Sequence, residues 1–231
     1  MNGDINILVV EDDLDINTLL CNILSKEGYK VRGAYSGTEA KMCIEQYNYD
    51  LLLLDLMLPG ATGEELIEEI RKIKVMPIIV ISAKTSQEDK IKVLKMGADD
   101  FICKPFDINE VLARVEVQLR RSTQFTKVNS SNGKLKHKNI ILDKDSRQVF
   151  INNKEISLTA REYSILELFM ENPKKVFTKS NLFESVWGSE FLGDDNTVNV
   201  HMSNLRSKIS KADNKEEYIQ TVWGIGFKLK D

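Results

Sequence analysis

Polar and apolar positions alternate in two rhythms along this chain. In the first half, short strand-like runs fall at 5–10, 30–34, 51–54, 78–81 and 101–103. Between them, at 14–27, 37–46, 63–74, 88–96 and 108–121, apolar residues recur at helical spacing. Five strand–helix repeats predict a parallel sheet with helices on both faces. The expected fold class is a flavodoxin-like, doubly wound α/β sheet in the order 2-1-3-4-5, with its cleft beside strands one and three.

The rhythm changes in the second half. Alternating segments near 140–142, 148–151 and 155–157 predict strands, with Asn152-Asn153 as a hairpin turn. Leu158-Thr159-Ala160-Arg161-Glu162 has the spacing of a capping box, so a helix starts at Thr159, and Pro173 stops it. Two more helices are predicted at 180–186 and from 196 or 197 to about 212, then a hairpin over 219–229. Sheet, three helices and hairpin make an α+β winged helix-turn-helix domain. Residues 122–134 lack periodicity and are rich in Ser, Thr, Asn and Lys. They predict a linker reaching roughly 20 Å, in which Phe125 and Val128 are the residues able to dock. The expected domains are therefore 1–121 and 135–231, joined by 122–134.

Strand ends carry the candidate chemistry. Leu51-Leu52-Leu53-Leu54 closes on Asp55, residues 7–10 on Glu11-Asp12-Asp13, residues 78–81 on Ser82, and residues 101–103 on Lys104-Pro105. An acid behind a leucine run costs free energy unless something pairs with it. The carboxyl end of a parallel strand is where α/β sheets hold ligands. Acids, a hydroxyl and a lysine around one aspartate suggest a site for a metal ion and a phosphoryl group.

Charge sharpens the division. Residues 1–121 hold 15 Lys and Arg against 21 Asp and Glu, a formal −6; residues 122–231 hold 17 against 14, a formal +3. An acidic half tied to a mildly basic one fits a metal-binding domain joined to a nucleic-acid-binding domain. No apolar run approaches ~18 residues, and the N-terminus opens on polar and acidic residues rather than a leader. A cytoplasmic protein is expected, with Cys21, Cys43 and Cys103 as reduced thiols.

With Gln220-Thr221-Val222-Trp223-Gly224-Ile225-Gly226-Phe227 at the far end, these motifs resemble a two-component response regulator of the OmpR/PhoB type. The resemblance runs from Ile5 to the C-terminus. It implies a receiver domain whose Asp55 accepts a phosphoryl group from a histidine kinase. It implies Mg²⁺ held by Asp12, Asp55 and the backbone carbonyl of Met57, with Glu11 near the metal through water. Glu11-Asp12, rather than Asp13, is the pair in the family register. Lys104 would pair with the phosphoryl oxygens, and Lys104-Pro105 would be a cis peptide. Ser82 would move toward the phosphate, followed by the ring of Phe101.

The resemblance further implies a symmetric receiver homodimer through the fourth helix, fifth strand and fifth helix. Lys90 would pair with Glu110, Asp100 with Arg114, and Asp99 with Arg121. Lys95 and Glu116 stand where the family usually has the opposite order of charges. In the second domain, the third helix would enter the major groove of promoter DNA on direct repeats. Its apolar side is Val198, Leu205 and Ile209, with Val200 or Met202 partly buried. Asn199, Ser203, Asn204, Arg206, Ser207 and Lys208 face outward. Asn204 suits adenine edges, and Arg206 and His201 suit phosphates. Trp223 replaces a frequent wing arginine and would brace the wing or touch the DNA backbone. Trp187 would reach phosphate through its indole N–H or sit in the core. Residues 188–195 would face RNA polymerase, with Glu190, Asp194 and Asp195 solvated.

Other classes fail on particular residues. A phosphatase with an aspartyl nucleophile needs a second acid where Met57 stands. A dinucleotide-binding enzyme needs glycines where Val10-Glu11-Asp12 stands. A non-enzymatic regulator is expected. The alternative is an orphan relative that binds DNA without phosphorylation, against which the intact acidic set argues.

Overall fold

A computed structural model describes residues 5–84, 86–124, 133–188 and 195–230. The chain divides into two compact units, residues 1–120 and 121–231.

In the first unit, β1 (Asn6–Val10), β2 (Lys30–Ala34), β3 (Leu51–Leu54), β4 (Ile78–Ser82) and β5 (Asp100–Cys103) form one sheet in the order β2-β1-β3-β4-β5. Every pairing is parallel, with Ile7 opposite Leu51 and Leu52 opposite Ile78. Strand residues point alternately to the two faces. Ile7, Val9, Leu51, Leu53, Ile79 and Ile81 build one core with Leu20 and Leu24 of α1 (Leu14–Lys26) and Val111, Val115 and Leu119 of α5 (Ile108–Gln124). Leu8, Val10, Leu52, Leu54, Ile78 and Val80 are equally buried on the opposite face. Burial on both faces is why the central strands β1, β3 and β4 carry unbroken apolar runs.

Helix starts follow the local signals. Asp13 caps α1, Ser36 caps α2 (Gly37–Gln46), and Thr62 with Glu65 forms a capping box on α3 (Gly63–Ile73). Ser86 caps α4 (Gln87–Met96), which ends on Gly97 in the left-handed region. Each such cap is worth about 1 kcal/mol. They fix where the strand-end loops stop, and those loops carry the acids.

The second unit opens on a four-stranded antiparallel sheet, β6 (Lys134–His137), β7 (Ile140–Asp143), β8 (Gln148–Ile151) and β9 (Lys154–Ile156). Asn152 and Asn153 both take positive φ, 52° and 63°, as a two-residue hairpin turn of the I′ kind requires. Then come α6 (Ala160–Glu171) with its Thr159–Glu162 capping box, α7 (Lys179–Trp187), α8 (Asp195–Ala212), and the hairpin β10 (Ile219–Val222) with β11 (Gly226–Leu229). A shared core runs from Ile140 and Val149 through Leu166, Phe169 and Leu182 to Val198, Leu205, Ile209 and Phe227.

Two expectations about the join are revised. Helix α5 continues through Ser122–Gln124, and Lys134 already belongs to β6. Residues 125–132 of the expected linker, with Phe125 and Val128, lie outside the described residues. Strand β6 escaped sequence reading because Leu135 is its one large apolar residue; pairing with β7 makes it a strand.

Candidate functional site

The acids that end β1 and β3 meet at one end of the parallel sheet. Asp55 follows the fully buried Leu54 and is itself 5% exposed; Glu11 is 1% exposed. Oδ1 of Asp55 accepts the backbone N–H groups of Leu56 at 2.6 Å and Met57 at 3.1 Å. Its other oxygen, Oδ2, takes the ammonium of Lys104 at 2.6 Å. Both carboxylate oxygens of Glu11 lie 2.8 Å from the same ammonium. Asp12 is exposed beside them, and ligand oxygens of Glu11, Asp12 and Asp55 lie within 4.8 Å of one another.

Burial raises the pKa of Glu11, Lys104 works against that rise, and the Asp55 charge adds to it. Burial alone would lower the pKa of Lys104; its bonds to Asp55 and Glu11 more than offset this and raise it. Three carboxylates against one ammonium leave the cluster two charges negative. A hard dication fits that all-oxygen donor set, because it supplies the missing charge without needing soft ligands.

Ser82 is wholly buried at the end of β4, its hydroxyl accepting the backbone N–H of Lys84 at 3.3 Å. Phe101 is buried at 3% exposure on β5, opposite Val80. Lys104-Pro105 is a cis peptide.

Helix α8 is the other candidate site. Val198, Met202, Leu205 and Ile209 anchor it in the core, and Val200 is buried too. Asn199, Ser203 and Ser207 are exposed along one side, and Asn204 is half-buried. At the hairpin tip, Ile225 donates to the carbonyl of Val222 at 3.0 Å, and Gly224 takes φ 74° to close the turn. Trp223, 91% exposed, and Ile225, 57% exposed, project from it.

Sequence comparison agrees with this arrangement. Residues 7–116 match the family described as a response regulator receiver domain, and residues 153–229 match transcriptional regulatory protein, C terminal. The uncharacterized transcriptional regulatory protein YcbL of Bacillus subtilis is 41% identical over 96% of this chain and 99% of its own. The regulatory protein VanR of Enterococcus faecium is 38% identical over 97% of this chain and 98% of its own. A solved RitR mutant superimposes with a TM-score of 0.79 at 28% identity, covering 98% of this chain and 99% of that one. The response regulator DrrB, a Thermotoga maritima OmpR/PhoB homolog, gives 0.52 at 27% identity, covering 98% and 99%.

The chain belongs to the OmpR/PhoB-type response regulators. It is a transcriptional regulator with a receiver domain and a DNA-binding domain, not an enzyme. A histidine kinase and DNA are the partners those domains imply. Among the described residues, no helix of the regulator is long and apolar enough to cross a membrane.

Two expected DNA contacts are corrected by burial and pairing. His201 is 1% exposed, its ring tilted against Trp187 at 5.3 Å, so it faces the core and not phosphate. Arg206 is half-buried; one of its nitrogens donates to the Ile219 carbonyl at 3.0 Å and the Thr221 hydroxyl at 2.9 Å, tying α8 to β10. Lys208 pairs with Glu162 at 2.6 Å, tying α8 to the start of α6, with its side chain still 36% exposed. Trp187 takes the core alternative: it is 2% exposed and stacked on Phe183 at 5.0 Å, with the buried guanidinium of Arg161 4.9 Å away and bonded to the Val186 carbonyl.

The expected dimer face also changes. Asp99 is fully buried, bound to Arg71 at 2.7 Å and to the backbone N–H of Ile78 at 2.9 Å, so it cannot meet Arg121 of another copy. Arg114 grips Asp100 with two bonds of 2.9 and 2.8 Å and Glu110 at 2.8 Å within its own chain. The Arg121 side chain and the loop over 189–194 lie outside the described residues. Lys95 and Glu116 are exposed and Lys90 is half-buried.

Sequence reading missed Glu162, Thr221 and Asn17 as organisers of these sites. Glu162 was visible only as a capping residue. Asn17 left a fainter trace: it interrupts the buried stripe of Leu20 and Leu24 on α1.

Proposed function

We propose that Asp55 is the phosphoacceptor of this regulator and that its phosphorylation turns on promoter binding. The observation that carries this is a buried aspartate at the end of a leucine strand, bound to Lys104 and grouped with Glu11 and Asp12. An Asp55 oxygen attacks the phosphorus of the kinase's phosphohistidine. The P–N bond breaks, its electron pair stays on the imidazole, and a proton follows. Asp12, Asp55 and the Met57 carbonyl would hold Mg²⁺, with Glu11 acting through water. Bound there, the ion neutralises the phosphoryl charge. Lys104 leaves the carboxylates for the phosphoryl oxygens as a point charge. Ser82 donates its hydroxyl to the phosphoryl group, and Phe101 repacks behind it.

Activated receivers pair as a symmetric dimer through α4, β5 and α5, using Lys90, Lys95, Glu110 and Glu116 at its edge. Asn199, Ser203 and Asn204 face the major groove, Asn204 reading adenine, while Trp223 touches the DNA backbone at the wing. Two copies sit head to tail on direct repeats of duplex DNA, and the loop over 188–195 meets RNA polymerase. The regulator works in the cytoplasm, where promoter DNA lies.

Incubation with acetyl phosphate and Mg²⁺, read by intact mass, tests the first step. One phosphate on the wild type and none on Asp55→Asn is the expected result. Equal labelling of both would remove Asp55 from the role.

A further inference from the structure

Asn17 lies on α1, carries no charge, and is 1% exposed. Its amide group is fully used. Nδ2 donates to the carbonyl of Glu11 at 3.0 Å and to the carbonyl of Ala34 at 3.0 Å. Oδ1 accepts the thiol of Cys21 at 3.3 Å. The backbone joins in: the N–H of Asn17 donates to the carbonyl of Asp13 at 2.9 Å, and the N–H of Glu11 donates to Ala34 at 3.1 Å.

These bonds enclose Asp12. Its predecessor is held through the Asn17 side chain and its successor through the Asn17 main chain. Asp13 is fixed a second time, because its carboxylate accepts Asp15 and Ile16 as the cap of α1. The peptide that bears the exposed carboxylate is thus clamped on both flanks, while nothing in the clamp touches that carboxylate. A further feature belongs to the same device. A Cβ on Gly33 would stand 2.5 Å from Asn17 Oδ1, so the glycine in β2 keeps open the space the amide occupies.

We propose that Asn17 is a positioning residue for Mg²⁺: it sets the Glu11-Asp12 peptide so that the two acids and Asp55 converge on one ion. The physical need is specific. A carboxylate on a short loop loses affinity when the loop wanders. Mg²⁺ tolerates little departure from octahedral geometry. Groups that orient metal ligands without touching the metal typically govern 10–100-fold in affinity. Asn suits the position because two neighbouring carbonyls require two donors on one planar group, and a neutral one, since a second cation here would compete with the ion.

This inference rests on the acidic cluster being a Mg²⁺ site, and the test separates the two. Mg²⁺ is titrated by calorimetry into the full-length protein without phosphodonor, and melting is followed in parallel without metal. Asn17→Asp keeps the shape and loses both donors; Asn17→Ala loses the group. Both should bind Mg²⁺ about 10–100-fold more weakly than wild type. Saturating Mg²⁺ should restore labelling of Asp55, because the reacting groups are intact. Gly33→Ala, which presses on Oδ1 with Asn17 in place, should weaken binding in the same direction. It carries the test if the Asn17 variants do not fold. Folded variants with lowered melting temperature and unchanged Mg²⁺ affinity would show a structural role only and overturn the proposal. A wild type that binds no Mg²⁺ would overturn the site and the proposal together. Weakened binding in the variants, with no label on Asp55 of the wild type, would sink the phosphoacceptor reading and leave the proposal standing.

Discussion

Arg206 has the chemistry of a phosphate contact and the position of a brace. Its guanidinium reaches Ile219 and Thr221 and lies 5.4 Å from the ring of Phe227, and burial lowers its pKa. Arg206→Ala strands those acceptors and loosens the wing, at a cost of about 1.5–3 kcal/mol. Denaturant unfolding should register that loss, while the slope of DNA affinity against salt should stay as in wild type. A slope lowered by about one would return Arg206 to the phosphates. Asp213 supplies a pH signature. Bonds from Asn139 at 3.1 Å and Tyr218 at 2.8 Å hold its pKa down from 3.8 to about 2. A depressed carboxylate stabilises the fold fully above its unfolded value and loses that contribution as pH falls through the folded value. Stability of wild type and Asp213→Asn should therefore differ at pH 5 and converge as pH falls from 3.8 toward 2. Parallel curves over that window would assign the stabilisation elsewhere.

Helix α8 owes its placement to the elements around it. Its apolar side is anchored in the core, and two basic side chains fasten it to β10 and to the start of α6. Glu162 joins two devices: it receives the N–H of Thr159 at 2.8 Å in the capping box and the ammonium of Lys208 at 2.6 Å. Glu162→Ala should cost more than the ~1 kcal/mol of a lost cap, because Lys208 is released with it. Lys208→Ala should recover little further loss in the double variant, a coupling that a double-mutant cycle measures. Simple additivity would mean that Lys208 does not depend on Glu162. The outward side then keeps Asn199, Ser203 and Ser207 exposed, so in the proposed reading α8 would meet DNA with neutral polar groups there. The periodicity gave the face of this helix correctly for Val198, Leu205 and Ile209. It could not sort His201, Arg206 and Lys208, because helical spacing says which way a side chain starts and not what it reaches.

Two compact units with separate cores should fold when separated, each with its own cooperative transition. Joined, they depend on association for function in the reading proposed above. Lys95 and Glu116 would attract across a two-fold axis in a homodimer and repel a relative with the usual order of charges. An exposed pair is worth only about 0.2–1 kcal/mol, and symmetry counts it twice. Sedimentation of beryllofluoride-activated protein should show a weaker dimer for Lys95→Glu, restored by adding Glu116→Lys. A double variant as weak as the sum of both singles would mean these residues do not pair.

The alternation of strands and helices, the sheet order, the acids at strand ends and the winged-helix outline were all legible in the chain. Those features are local or periodic: a buried strand must be apolar, a helix must be capped, and a parallel sheet gathers its strand ends at one edge. Partner choice among charged side chains was not legible. The resemblance makes Asp99 an interface acid, yet it is buried beneath Arg71, 28 positions earlier in the chain. The resemblance pairs Asp100 with Arg114 across a dimer, and in the structure they bond within one chain. The sequence turns Arg206 and His201 toward DNA, and in the structure each has a closer environment within its own domain. A long cationic side chain can serve an acid of its own fold or an anion outside it, and the choice depends on distances that exist only once distant segments pack together. Asn17 marks the same boundary. Its place on the apolar stripe of α1 hinted at a buried polar role, but the two carbonyls that use it converge only when β1, β2 and α1 come together.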